Sequence, residues 1–197
     1  MELQTVIFYG RSGSGKGTQA ELLQKYIEKN DPKRRVLYLQ TGAMLRELAK
    51  QNTHTAKMVK KILEGGGLLP AFLPIWTWGT FLMEKYTGGE HLLLDGVTRR
   101  VDEAKVLDGA LKFYSKDKNP AVVILNISRE TAVKYLMKRG RYDDNEDDIN
   151  ERLDWFEENV IPAIDFFRNN PDYNIHEIDG EKSIEEVHEQ LIKSLGI

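Results

Sequence analysis

The chain has 197 residues, 41% of them hydrophobic and 30% charged, with a net charge of −3 and no cysteine. That size and apolar content fit one compact domain with a full core and argue against disorder. The slight acidity removes any general attraction to nucleic acid or anionic membrane, and the lack of cysteine excludes disulfides and thiolate zinc sites.

Met1–Gln4 lead, without a basic start or a long apolar stretch, into the strand-like run Val6–Tyr9. Neither a signal peptide nor a membrane span is expected, and a cytoplasmic location is. Next comes Gly10-Arg11-Ser12-Gly13-Ser14-Gly15-Lys16-Gly17-Thr18-Gln19, with a helix opening near Lys16. A glycine-rich turn between a buried strand and a helix lets successive backbone N–H groups converge on phosphate oxygens. The helix N-terminus adds partial positive charge, and Lys16 adds a full one. The hydroxyl residue that usually follows the lysine of such a loop is Gly17 here, with Thr18 one place later.

A second apolar run, Val36–Leu39, precedes a stretch from Thr41 to about Tyr86 that has helical patterning and no strand. Glu64-Gly65-Gly66-Gly67, Pro70 and Pro74 interrupt it. Trp76 and Trp78 within it are expected to pack into a core. Leu92–Leu94 form a third strand ending at Asp95, Ala121–Ile127 a fourth, and Tyr173–Ile178 a fifth. These runs hardly alternate with polar residues, as expected of a parallel sheet covered by helices on both faces. Between the last two strands lies the charged turn Lys138–Asn145, with Asn145 positioned to cap a following helix. His54, His91, His176 and His188 have no partners at metal-ligand spacing and read as ordinary surface or helix histidines.

The loop's ending Gly15-Lys16-Gly17-Thr18-Gln19 resembles that of the adenylate kinase family of nucleoside monophosphate kinases, in its short-lid form. Three more blocks are similar to that family: Thr41-Gly42-Ala43-Met44-Leu45-Arg46, Asp95-Gly96-Val97-Thr98-Arg99, and Arg139-Gly140-Arg141-Tyr142-Asp143-Asp144-Asn145. Arg152 and Asp179–Lys182 also fall in register, so the likeness spans nearly the whole chain. It implies an α/β P-loop NTPase fold: a five-stranded parallel sheet flanked by helices, a helical arm for the monophosphate and a very short lid. One domain would comprise a core (1–40, 87–138 and 146–197), an arm (41–86) and a lid (139–145).

The activity implied is transfer of the γ-phosphoryl group of ATP·Mg to a nucleoside monophosphate, with AMP the leading acceptor. The alternatives are CMP, UMP or GMP as acceptor, or a nucleotide-binding module with weak transfer. By the same resemblance, Gly13, Ser14, Gly15, Lys16, Gly17, Thr18, Arg139 and Lys182 bind ATP. Thr41, Arg46, Leu69, Gly96, Arg99 and Glu103 bind AMP, and Lys16, Arg99, Arg139, Arg141 and Arg152 carry the transfer. Asp95 holds Mg2+ through water, and neither zinc, nucleic acid nor membrane enters; the expected state is a monomer. Arginines suit such a site because their planar, permanently charged forks grip phosphate bidentately.

The sequence departs from the family at several points. Val97 and Thr98 replace phenylalanine and proline, so the peptide before Thr98 is expected to be trans, which leaves open where Arg99 points. Glu103 stands where an amide usually reads the base, and an ionised carboxylate only accepts hydrogen bonds. It is as compatible with a core or solvent-facing position as with a base reader. The acidic residues of the arm are missing at Ala43 and around Pro70-Ala71-Phe72. A lid with only Gly140 between Arg139 and Arg141 should shield the phosphates less, so some ATP hydrolysis beside transfer is expected. An ATPase assay without acceptor checks this, and finding no turnover would refute it.

Overall fold

The computed structural model describes residues 1–115, 119–140 and 146–197, without the side chains of 146 and 147. Five strands, β1 (Thr5–Gly10), β2 (Val36–Gln40), β3 (His91–Asp95), β4 (Ala121–Asn126) and β5 (Asn174–Asp179), form one sheet in the order β2-β3-β1-β4-β5. Every pairing is parallel. The helices are α1 (Lys16–Asn30), α2 (Thr41–Ala49), α3 (His54–Glu64), α4 (Phe72–Lys85) and α5 (Val101–Phe113), followed by α6 (Arg129–Arg139), α7 (Glu146–Trp155), α8 (Ile161–Arg168) and α9 (Ile184–Leu195).

The continuous apolar runs have the cause expected of them: alternate residues go to opposite faces and both faces are covered. Ile7, Tyr9, Leu92, Leu94, Val122 and Ile124 meet residues of α4, α5 and α8. Val6, Phe8, Leu93, Val123 and Leu125 meet Ala20, Leu23 and Ile27 of α1 and Val187 and Leu191 of α9. Leu92, Leu93 and Leu94 are fully buried, each contributing about 1.5–3 kcal/mol over an exposed side chain. Two satellite clusters lie beside this core. Leu45, Ala49, Val59, Leu69 and Leu73 knit α2, α3 and the start of α4 together, and Ile127, Ala132, Leu136, Ile149 and Leu153 join α6 to α7.

Trp78 is core, 2% exposed, but Trp76 is 58% exposed, so the expectation of core packing fails for it. Two residues apart on a helix are about 200° apart around its axis, and only one of the pair can face the sheet. His91 also departs from its reading as a surface or helix histidine, because it lies fully buried in β3. Its Nδ1 accepts from the Gln4 N–H at 2.9 Å, which leaves Nε2–H to donate to Asp31 Oδ2 at 3.2 Å.

Helices α7 and α8 are joined by a π-helical turn, Phe156–Val160, in which Ile161 N–H donates to the Phe156 carbonyl. Pro162 follows at the start of α8. A proline inside a continuing helix removes one backbone donor and crowds the carbonyl four residues back, and the widened turn relieves that conflict. No described peptide is cis, that before Thr98 included. No described helix is long and apolar enough to cross a membrane.

Candidate active site

In an open parallel sheet, ligands are received at the carboxyl ends of the strands, where the strand order reverses. Here β1 ends at Gly10, beside Asp95 at the end of β3 and Gln40 at the end of β2. Above them opens a cleft of about 730 Å³ lined by the loop after β1, residues of α2, α3 and the loop before α4, and the end of α7. That volume falls in the range of sites that enclose whole small molecules.

The loop Gly10–Gly15 turns on a hydrogen bond from Ser14 N–H to the Arg11 carbonyl. Gly13 has φ +85° and lies so close to α6 that a Cβ would come 3.0 Å from the Ala132 carbonyl oxygen. Glycine is required there by both backbone conformation and space. Gly17 answers the displaced hydroxyl: a Cβ on it would sit 3.1 Å from Gln40 Nε2. Gln40 is not free to yield, since that nitrogen donates to Asp95 Oδ2 and to the Tyr38 hydroxyl, each at 3.1 Å.

Lys16 Nζ lies within 2.7 Å of the Gly10 carbonyl oxygen, 2.8 Å of that of Arg11 and 3.4 Å of Ser14 Oγ. Desolvation lowers its pKa to about 8; Asp95 opposes the shift and Arg99 and Arg139 add to it. An ammonium so weakened by its surroundings is suited to an anionic ligand, which would restore the charged form. Asp95 is 6% exposed. Its hydrogen bonds from Tyr38 and Gln40 both fall on Oδ2.

Across the cleft, Arg46 and Arg99 converge on Gly42: Arg46 Nη1 lies 3.5 Å and Arg99 Nη2 3.8 Å from where its Cβ would be. Burial lowers the Arg99 pKa, as do Arg46 and Arg152, with Glu103 and Asp95 opposing them. Thr41, 1% exposed, has a buried hydroxyl with no hydrogen-bond partner among the described residues. Such an orphan in a cleft calls for a ligand atom or water. Glu103 is 1% exposed in the first turn of α5. Oε2 accepts from Arg99 N–H at 2.6 Å, and Arg100 Nη1 lies 3.4 Å from Oε1. Burial raises its pKa, against the pull of Arg99 and Arg100.

Gly13, Ser14, Gly15, Lys16, Gly17, Thr18, Thr41, Arg46, Leu69, Asp95, Gly96, Arg99, Glu103, Arg139, Arg152 and Lys182 all line this one cleft. Arg141, with Asp143, Asp144 and Asn145 of the lid turn, lies outside the described residues. Sequence reading missed Tyr38 and Gln40, which hold Asp95, and two aromatic residues after Arg152. Phe156 lies 5.2 Å beneath the Arg11 guanidinium and Trp155 5.3 Å from that of Arg99. The available signal was helical spacing, since Trp155 stands three residues beyond Arg152. Among the described residues no group of three or more His, Asp and Glu side chains is placed to hold a metal ion.

A family model described as "Adenylate kinase" matches residues 8–171. Adenylate kinase of Corynebacterium urealyticum is 30% identical over 191 residues, 96% of this chain and 98% of that protein. That of Leptospira biflexa is 32% identical over 197 residues, covering 98% and 100%. That of Azobacteroides pseudotrichonymphae is 32% identical over 196 residues, covering 95% and 94%.

Proposed function

Because the chain belongs to the adenylate kinase family and is a nucleoside monophosphate kinase taking its phosphoryl group from ATP, we propose that its acceptor is AMP, with ATP and AMP giving two ADP. The observation that carries this reading is the division of one cleft into two cationic halves. Lys16 and the glycine loop occupy one, and Arg46, Arg99 and the orphan Thr41 hydroxyl the other.

In this reading an α-phosphate oxygen of AMP attacks the γ-phosphorus of ATP, and the bond from γ-phosphorus to the β,γ-bridging oxygen breaks, leaving ADP on each side. The attacking oxygen is already anionic, so no general base is needed, and catalysis rests on alignment and charge neutralisation. Lys16 grips the β- and γ-phosphates, with the Gly13–Thr18 backbone and Lys182 around the donor. Arg46 and Arg99 hold the α-phosphate of the acceptor beside Thr41, Leu69, Gly96 and Glu103. Arg139, Arg141 and Arg152 converge on the group in transit. The arm (41–86) and the lid (139–145) exclude water.

Asp95 suits Mg2+, being a hard carboxylate on the cleft floor whose bonds from Tyr38 and Gln40 both use Oδ2. When bound through water there, Mg2+ spreads the charge of the β- and γ-phosphates. The reading includes a cytoplasmic monomer with neither nucleic acid nor membrane as partner.

Glu103 favours a second acceptor reading. A carboxylate in place of an amide suits the amino donors of guanine or cytosine better than adenine. A coupled assay across AMP, CMP, UMP and GMP decides. We expect kcat/KM for AMP to exceed the others by about tenfold or more, the discrimination of one or two well-made polar contacts. Faster turnover of another monophosphate would replace AMP as the acceptor.

A further inference from the structure

The loop between α3 and α4, residues 65–71, is fastened from two sides. On one, Arg100 donates to the carbonyls of Leu69 at 2.5 Å and Leu68 at 3.4 Å. On the other, the Trp155 indole N–H donates to the Gly66 carbonyl at 3.0 Å. Gly66, at φ +67°, presses so closely on α7 that a Cβ would meet the Asp148 backbone and Cβ at 2.9–3.0 Å. The same Trp155 ring carries the Arg99 guanidinium 5.3 Å from its centroid. One side chain on α7 therefore touches both the arm that covers the acceptor half of the cleft and an arginine that faces it.

We propose that Trp155 is a positioning residue for the acceptor: its N–H sets where the arm loop comes to rest, and its ring sets the aim of Arg99. The inference rests on the acceptor phosphate lying against Arg99. A cation over an aromatic face is held without being neutralised, so Arg99 keeps its donors for a phosphate while losing freedom to swing away. A carboxylate in the same place would have engaged those donors. The indole is also the one aromatic side chain that offers both an extended face and an N–H donor. The two contacts of Trp155 fall on Gly66 of the arm and on Arg99, and its replacement leaves the Arg99 charge that Lys16 feels in place, so its effect should fall mainly on one substrate.

The test measures steady-state constants for both substrates in Trp155→Leu and Trp155→Phe. Trp155→Leu is expected to raise KM for AMP about tenfold, as loss of a desolvated cation–π contact implies, while KM for ATP stays within about twofold. Trp155→Phe, which keeps a ring but no N–H, should recover only part of that loss, the remainder being owed to the bond to the Gly66 carbonyl. A second readout uses the native indole. In a Trp76→Phe/Trp78→Phe background, Trp155 fluorescence should change on adding AMP alone and not on adding ATP alone.

Equal rises in both KM values, unchanged constants, a Phe variant no better than Leu, or emission blind to AMP would each overturn the proposal. Should Trp155→Leu fail to fold, Trp155→Phe and the fluorescence titration decide. Should the wild-type protein prefer another monophosphate, that failure appears in the wild type alone, and the same comparison is made with the preferred acceptor.

Discussion

Replacing Lys16 by methionine is expected to lower kcat/KM by about a thousandfold, the scale of removing a preorganised charge from a phosphoryl-transfer site. It should also change how stability depends on pH. In the nucleotide-free protein the Lys16 pKa lies near 8, below the 10.5 of an unperturbed lysine, because burial among Arg99 and Arg139 outweighs the attraction of Asp95. The folded state therefore binds this proton more weakly than the unfolded state. As pH rises from about 8 to 10.5, the unfolded chain holds more protons and stability increases; as pH falls back through 8, that gain is lost. Wild type should thus gain on Lys16→Met across this window, by at most about 1.4 kcal/mol per pH unit. Chemical denaturation of both proteins between pH 7 and 10.5 measures it, and parallel curves would contradict the assignment. ATP binding near pH 9 should take up a proton, visible as a buffer-dependent binding enthalpy, because phosphates return Lys16 to its charged form.

Arg99→Ala is expected to cut kcat/KM for the acceptor by about a hundredfold or more, as for an interaction made mainly in the transition state. KM for ATP should change little, since the residue sits on the opposite half of the cleft from the glycine loop. The loss should not come from unfolding. Arg99 shares its surroundings with Arg46 and Arg152, which disfavour its charge, and its backbone N–H, not its side chain, is what Glu103 accepts from most closely. Steady-state kinetics with a thermal melt of the same preparation separates the two effects. A near-normal rate would remove Arg99 from the transfer machinery.

The glycine loop with Lys16 was legible because its signal is local. A strand, four glycines, a lysine and a helix start lie within fourteen consecutive residues, Val6 to Gln19, and their geometry follows from chain connectivity alone. The sheet was legible for a similar reason, since a strand buried on both faces writes its burial directly as an apolar run. The opposite side of the cleft could be read only through resemblance. Thr41, Arg46, Arg99 and Glu103 come from separate segments that the fold brings to one cleft. Trp155 and Arg100 escaped notice because their partners, Gly66, Leu68 and Leu69, are backbone carbonyls 89 and about 31 residues away. No side-chain pattern records such a contact. Trp76 and Trp78 cannot both face the sheet from one helix, and only the helical phase tells which does; a lone histidine in a strand, as His91 is, gives no sign of a buried aspartate sixty residues earlier.

The π-helical turn Phe156–Val160 has an evolutionary consequence. A widened turn behaves as a one-residue insertion absorbed inside a helix, so it sets the phase of everything on one side against everything on the other. Losing one residue from the turn itself would let it close to α-helical width with the phase across it kept, whereas a loss elsewhere between Arg152 and α8 would rotate Arg152 and Trp155 by about 100° relative to the apolar side of α8. A single gain or loss of a residue should therefore be tolerated within 156–160 and not on either side of it.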